Sequence, residues 1–335
     1  MGPREIVTVI GAGSWGTALA IQLAKNAAEV RLWGCEQSDL DVIKATGINQ
    51  RYLPENPLPK NISVAESLQA AVTGTHPILI VVPSHGFKDS LAQMAPFLTS
   101  QQPIIWATKG IEPSTHQLLS DIAIELLGPD LKFAVLSGPS FAKEVADGLP
   151  TAVALAYSQQ QVGEQFGKLI ASETFMVYLN DDYRGVQLGG AVKNVMAVAT
   201  GISDGLGFGA NARSAVITRG LAEMMRLGAS LGAKPETFMG LAGMGDLILT
   251  CTDNQSRNRR FGLALGRGSN AKQAMEEIGQ VVEGYGTTAQ LYQLARQQQV
   301  FMPITEKVYQ ILYQGLPTKV AVQELLTPKL GVEGA

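Results

Sequence analysis

Cysteine and histidine are scarce in this chain. Its 335 residues hold two cysteines, Cys35 and Cys251, and three histidines, His76, His85 and His116. Two thiols are too few for a disulfide framework, so a reducing compartment is expected. The histidines and cysteines are scattered without ligand spacing, so no metal site is expected. An excess of one charge is missing too. There are 26 Lys and Arg against 29 Asp and Glu, a net charge of −3. That balance argues against a general binder of nucleic acid or of anionic membranes. Long apolar runs are lacking. The stretch Pro77–Pro83 falls far short of the roughly 18 apolar residues of a membrane span. Near the N-terminus, Ile6–Ile10 is apolar but glycines follow at once, so no signal peptide is expected. No fixed-period repeat or low-complexity block stands out. These absences leave a cytoplasmic protein with no membrane span as the expectation.

What is present is apolar residue content, 46% of the chain, in a pattern that changes partway along. At about 150 residues per domain, the length suits two domains, each large enough for its own core. The first half alternates short apolar runs with helix-like segments. Ile6–Ile10, Val30–Trp33, Ile78–Val82, Ile104–Ala107 and Phe133–Leu136 read as strands. Thr151–Ala156 and Phe175–Tyr178 would add strands at the far edge. Continuous Val/Ile runs between helices predict a doubly wound parallel sheet covered on both faces. From about Asp181, long Ala/Leu/Met/Gly-rich segments follow: Val186–Thr200, Arg213–Leu231, Ala271–Ile278, Thr287–Gln298 and Thr305–Gln314. Their period is helical, with Pro303 and Pro317 as punctuation. The expected division is an α/β Rossmann-like domain over residues 1–180 and an all-α domain over 181–335. Leu330–Ala335 reads as a frayed tail.

The segment Gly11-Ala12-Gly13-Ser14-Trp15-Gly16 is G-x-G-x-x-G. The motif alone is weak, but here it follows a strand and opens a helix, which makes it a dinucleotide fingerprint. Gly11 permits the tight turn, Gly13 admits the pyrophosphate, and Gly16 lets helix and strand pack closely. N–H groups around Ser14 and Trp15 would face the phosphates. The end of the second strand should set the choice between NAD and NADP. There the chain reads Trp33-Gly34-Cys35-Glu36. Cys35 is neither acidic nor basic, Glu36 sits one position late, and Arg51 can approach from the next loop. The preference stays open.

Polar clusters then recur in apolar surroundings: Pro83-Ser84-His85, WATKG ending at Gly110, SGPSFAKE from Ser137, GVQLGGAVKN ending at Asn194, LAGMGDL around Asp246, CTDNQSRNRRFG from Cys251, and VVEGY from Val281. In this order, and with SDGLGFGANAR, they resemble the bacterial NAD(P)-dependent glycerol-3-phosphate dehydrogenases. The resemblance runs from about residue 5 to residue 326. It implies reversible hydride transfer between NAD(P)H and dihydroxyacetone phosphate, giving the sn-glycerol 3-phosphate that starts glycerophospholipid synthesis.

By that resemblance Lys193 is the proton acceptor. The chemistry agrees: hydride attack on a ketone puts negative charge on oxygen, which a nearby ammonium stabilises and protonates. A lysine in a Gly/Ala/Val-rich helix is costly unless it is paired or used. The bland alternative is a lysine snorkelling from a helix edge. Lys109, after the strand Ile104–Ala107, is implied near both nicotinamide and substrate. Its alternative is a surface lysine in a βα loop. Asp246 beside Lys193 would hold the ammonium, although Asp is also a favoured N-cap for Leu247–Thr250.

Arg257 and Asn258, with Ser256, suit a phosphate. The alternative for Arg257, Arg259 and Arg260 is a solvated basic loop. The resemblance puts Arg257 near cofactor as well. Gly138 and Ser140 are implied at substrate, and Ala142, Val281 and Glu283 at cofactor. The turn into the helix through Phe141–Val145 would offer a second anion-holding helix start. Pro83 and Phe87 would border the cofactor. His85 would suit a histidine acid–base, but it has no adjoining carboxylate and reads as a loop residue.

Two rivals remain at this level. A 3-hydroxyacid dehydrogenase would share the Gly-rich loop and the helical lysine, but NQSRNRRFG favours a phosphorylated substrate. A non-catalytic nucleotide-binding regulator would need only Gly11–Gly16. The partner expected is a small molecule, with apolar helices of the second domain offering a homodimer face.

Overall fold

A computed structural model describes residues 5–326. The tail expected over Leu330–Ala335 lies outside the described residues. Close contacts divide the chain into two compact units. The first holds residues up to Lys109 together with Leu119–Tyr183, and the second holds Gly110–Leu118 and the chain from Arg184 on. The loop Gly110–Leu118, part of the first domain by sequence reading, therefore groups with the helical unit. Ile111 and Leu118 bury themselves in that unit's core, which explains the grouping.

The first unit is an α/β layer structure. Its strands are β1 (Ile6–Ile10), β2 (Glu29–Trp33), β3 (Ile62–Val64), β4 (Ile78–Ile80), β5 (Ile104–Trp106), β6 (Phe133–Ser137), β7 (Thr151–Tyr157) and β8 (Phe175–Asn180). They form one sheet in the order β3-β2-β1-β4-β5-β6-β7-β8. The helices are α1 (Ser14–Leu23), α2 (Gln37–Thr46), α3 (Leu68–Val72), α4 (Ser84–Met94), α5 (Leu119–Leu127), α6 (Ala142–Ala146) and α7 (Gln160–Ile170). β4, β5 and β6 are buried at every residue, as expected for strands covered on both faces. The order turns at β1, whose neighbours are β2 and β4. That switch point, at the carboxyl ends of the strands, is where such sheets take ligands.

Two features depart from the sequence reading. The three-residue β3 carries no long apolar run and was not expected. β7 runs antiparallel to β6, with Leu136 opposite Leu155. A parallel return needs a helix that travels back along the strand. The five-residue α6 covers only about 7.5 Å, whereas a five-residue β6 spans about 17 Å. The chain therefore turns back directly, and β8 then pairs parallel with β7.

The second unit is helical: α8 (Tyr183–Gly205), α9 (Gly209–Ser230), α10 (Pro235–Phe238), α11 (Asp246–Thr252), α12 (Arg257–Gly266), α13 (Ala271–Ile278), α14 (Glu283–Gln297), α15 (Pro303–Gln314) and α16 (Thr318–Leu326). α8 is its axis, with Val192, Val195, Met196 and Ala197 fully buried. Backbone meets backbone where α8 crosses α12. A Cβ on Gly201 would lie 2.2 Å from the Arg259 carbonyl oxygen, and one on Gly262 would lie 2.1 Å from that of Val198. The sequence reading places no helix over α12; its alternative for Arg257, Arg259 and Arg260 is a solvated basic loop. Its buried face carries Asn258, Arg259, Phe261, Gly262 and Leu265. Glu223 of α9 is fully buried and caps α15. Its carboxylate accepts from the Ile304 and Thr305 backbone N–H groups and from the Thr305 hydroxyl.

Candidate active site

The glycine loop of the first unit has the geometry that a dinucleotide requires. Gly11 has φ +118°, and a Cβ there would lie 2.5 Å from the Val81 carbonyl oxygen. A Cβ on Gly16 would lie 1.8 Å from the Gly11 carbonyl oxygen, so α1 can start this close to β1 only with glycine there. Gly13 is different: its Cβ would enter open space with no atom within 4 Å. That open face is where a phosphate can approach the backbone. Gly13 is the N-cap of α1, and the first helical bond runs from Thr17 N–H to its carbonyl. The N–H groups of Ser14, Trp15 and Gly16 precede that bond and suit an anion. Trp15 Nε1 is a buried donor with no partner among the described residues. The loop thus fits a pyrophosphate. Cys35 follows β2 and is exposed.

Three other expected residues of this unit come together at one carbonyl. Lys109 Nζ donates to the Gly138 oxygen at 3.0 Å. Ser140 Oγ donates to the same oxygen at 3.1 Å. Gly138 has φ +147°, and a Cβ there would lie 3.0 Å from Val153 Cα, so glycine is required beside β7. Lys109 is thus tied to the Gly138–Ser140 turn, unlike a loose surface lysine. Ala142 opens α6, whose five residues are too few for the second anion-holding helix start expected there. Phe87 is fully buried against the edge of Trp106, which leaves no face to border a cofactor. His85 lies in α4 and not in a loop.

The second unit brings Lys193 and Asp246 together. Lys193 Nζ donates to Asp246 Oδ1 at 2.7 Å and to Thr250 Oγ1 at 3.0 Å. The Lys193 side chain is 10% exposed and that of Asp246 1%, so this is a buried pair and not a snorkelling lysine. Thr250 donates its hydroxyl proton to the Asp246 backbone carbonyl at 2.6 Å, which frees its lone pairs for Lys193. Glycines set the placement. A Cβ on Gly189 would lie 2.2 Å from the Ala242 carbonyl oxygen, and one on Gly243 would lie 2.1 Å from that of Phe238. Leu241–Gly245 forms a single π turn that delivers Asp246 as the first residue of α11. Such turns occur often at functional sites. The cap position expected for Asp246 belongs to Gly245.

Ser256 is the N-cap of α12, and its Oγ accepts from Arg259 N–H. Arg257 and Asn258 are the first two residues of that helix, so their N–H groups precede its internal bonds. The Asn258 side chain is largely committed within the protein. Its Nδ2 donates to Asn194 Oδ1 and its Oδ1 accepts from Gly284 N–H, both at 2.9 Å. Asn258 thereby joins the residue after Lys193 to the start of α14, where Glu283 lies. Arg257 donates to Gln280 Oε1 at 3.3 Å, beside the exposed Val281. The solvated-loop reading fails for Arg259. It is buried and donates to Asn254 and, at 2.5 Å, to Asp204. Only Arg260 of the three is exposed.

Sequence reasoning missed Thr250 and Asn194. Thr250 stands one helical turn after Asp246, and Asn194 directly follows Lys193, so spacing could have found both. Burial pushes the thiol of Cys251, next in line after Thr250, up to about 12. Among the described residues, no group of three or more His, Cys, Asp and Glu could hold a metal ion.

Comparison with known proteins gives this geometry a family. The model of the NAD-dependent glycerol-3-phosphate dehydrogenase N-terminus matches residues 6–163, and that of the C-terminus matches residues 182–323. The chain is 55% identical over 321 residues to the glycerol-3-phosphate dehydrogenase [NAD(P)+] of Pseudoalteromonas translucida, covering 96% of both chains. It is 54% identical to that of Vibrio parahaemolyticus, covering 98% of this chain and 95% of that one. The crystal structure of glycerol-3-phosphate dehydrogenase from Coxiella burnetii superposes with a TM-score of 0.94 at 48% identity, covering 97% of this chain and 99% of that one. On two family models that together span nearly the whole chain, and on relatives that match from end to end, the chain belongs to the NAD-dependent glycerol-3-phosphate dehydrogenase family.

Proposed function

We propose that this chain reduces dihydroxyacetone phosphate to sn-glycerol 3-phosphate, reversibly, with Lys193 as its acid–base group. The observation that carries the reading is the buried Lys193 Nζ, held between Asp246 and Thr250. The nicotinamide, when bound, supplies the hydride to the carbonyl carbon. As that bond forms, the carbonyl π pair moves onto oxygen. Lys193 stabilises the developing charge and gives its proton to that oxygen. In the reverse direction the neutral amine takes the alcohol proton. Asp246 and Thr250 fix the amine in place, which a reacting group needs.

Gly11, Gly13, Ser14, Trp15 and Gly16 would hold the pyrophosphate and Cys35 the adenosine side. Lys109, Ala142, Arg257, Val281 and Glu283 are the further cofactor residues. For the substrate we assign Lys109, Gly138, Ser140, Lys193 and Asp246. Its phosphate goes to Ser256, Arg257 and Asn258, where the start of α12 offers N–H groups and a cation. Because the Asn258 side chain is already paired twice, its backbone N–H is the group we assign to that phosphate. We place the enzyme in the cytoplasm, where free Cys35 and Cys251 persist, as a homodimer whose product feeds glycerophospholipid synthesis. Among the described residues no helix is long and apolar enough to cross a membrane.

The test follows NADPH absorbance with dihydroxyacetone phosphate against a set of keto acids. Oxidation with dihydroxyacetone phosphate and not with the keto acids is expected. No oxidation with it would overturn the reading. Lys193→Ala should cost at least about 100-fold in turnover, typical of losing an acid–base group, while cofactor binding persists.

A further inference from the structure

We propose that this chain takes NADP(H) in preference to NAD(H), and that Arg51 makes the difference by holding the 2′-phosphate. In this fold the adenosine ribose lies beside the end of the second strand. An acidic residue there serves the 2′-hydroxyl of NAD, and a nearby arginine serves the 2′-phosphate of NADP. The end of β2 is fixed against the glycine loop. Trp33 pairs with Ile10, and Gly11 N–H donates to the Trp33 carbonyl at 2.7 Å. A Cβ on Gly34 would lie 3.0 Å from Ala12 Cβ, so the next residue leaves the sheet right beside the loop. That residue is Cys35, exposed and without a carboxylate.

The cation arrives from a different segment. Asn49 is 1% exposed. Its Nδ2 donates to the Ala12 carbonyl and to Thr17 Oγ1, each at 2.8 Å. One buried side chain thus pins the loop after α2 to both the glycine turn and α1. Two residues on, Arg51 reaches Asp39 Oδ2 at 3.2 Å, in the first turn of α2. Its guanidinium lies 5.2 Å from the centre of the Tyr52 ring. Asp39 and Tyr52 therefore hold the Arg51 head at the start of the helix that follows β2. Among the described residues the guanidinium makes that one hydrogen bond, so most of its five donors remain for a ligand. The side chain is 58% exposed, which leaves it open to an incoming phosphate. The nearby carboxylates weaken the NAD alternative. Asp39 is occupied by Arg51, and Glu36 is the exposed N-cap of α2, one position past Cys35.

Calorimetric binding to the full-length protein tests this apart from turnover. The probes are adenosine 2′,5′-bisphosphate and adenosine 5′-monophosphate, which differ in the 2′-phosphate alone. The unaltered chain should bind the bisphosphate more tightly. Arg51→Ala should weaken the bisphosphate about tenfold or more, as loss of a charge-assisted fork implies, and the monophosphate less than about threefold. Arg51→Gln, which keeps a hydrogen-bonding reach toward Asp39, should show the same contrast. kcat/KM for NADPH against NADH should shift in the same sense. Equal weakening of both probes would make Arg51 a support of the loop and overturn the proposal. So would an unaltered ratio, or tighter binding of the monophosphate by the unaltered chain. None of these readouts depends on dihydroxyacetone phosphate, so failure here is distinct from failure of the assigned reaction.

Discussion

Asp246→Asn tests whether the buried pair is machinery or scaffold. The change keeps the volume and removes the charge that faces Lys193 at 2.7 Å. At an effective dielectric of about 20, two unit charges at that separation interact by about 6 kcal/mol. The net loss is smaller, because Thr250 Oγ1 and the new amide oxygen still accept from Nζ. Breaking one partner of a buried pair typically costs about 3–5 kcal/mol. If that loss falls on the transition state, it corresponds to about two to four orders of magnitude in rate. The assay is steady-state NADPH oxidation with dihydroxyacetone phosphate, with cofactor affinity measured separately by calorimetry. A fall in kcat of at least about 100-fold is expected, with cofactor affinity retained because Gly11–Gly16 is untouched. The decisive arm is a double-mutant cycle. If Asp246 acts through Lys193, Lys193→Ala with Asp246→Asn should be no slower than Lys193→Ala alone. Losses that multiply would show that Asp246 works independently and would refute the reasoning.

Three further outcomes follow from the packing. Gly11→Ala forces a Cβ to 2.5 Å from the Val81 carbonyl oxygen at φ +118°, so the turn must deform; NADPH affinity measured by fluorescence should fall by at least about fivefold, given about 1–3 kcal/mol of strain. Burial holds the Glu223 carboxyl above the usual range, against the bonds from Ile304 and Thr305 that pull it down. The folded chain therefore binds this proton more readily than the unfolded one, so Glu223's contribution to stability falls as pH rises from the ordinary glutamate value through the raised one. Glu223→Ala should lower Tm by several degrees through lost capping, about 1–2 kcal/mol, and calorimetry across pH 4–8 should show this part of the slope gone. Cys251 is buried with its thiol pushed up to about 12, whereas Cys35 is exposed; a thiol reagent at pH 8 should label Cys35 alone in the native chain and both after denaturation.

The sequence carried much of this site because its signals are local. Gly11, Gly13 and Gly16 announce a backbone that only glycine permits, and the apolar run before them announces a strand. Direction is harder: Thr151–Tyr157 looks the same whether β7 runs parallel or antiparallel, and only the shortness of α6 decides it. α12 was hidden for a physical reason. Its buried face is half polar, with Asn258 and Arg259 satisfied by Asn194, Gly284, Asn254 and Asp204, so its apolar period is weak. Asn254 is five residues from Arg259, but Asn194, Gly284 and Asp204 are 26 to 64 residues from the side chains they pair with, so spacing along α12 does not reveal those pairs. A polar residue at an apolar position is therefore a signal of limited reach. It marks Lys193 and Glu223 alike, since both are buried in helices. Their partners separate them. Glu223 ends on the N–H groups of a helix start, which is a cap, whereas Lys193 ends on Asp246 and Thr250, side chains one turn apart on α11. A carboxylate and a hydroxyl holding one buried amine is the arrangement that the proposed acid–base role of Lys193 needs; the resemblance implied the Asp246 contact, and the packing of α8 on α11 adds Thr250 to it.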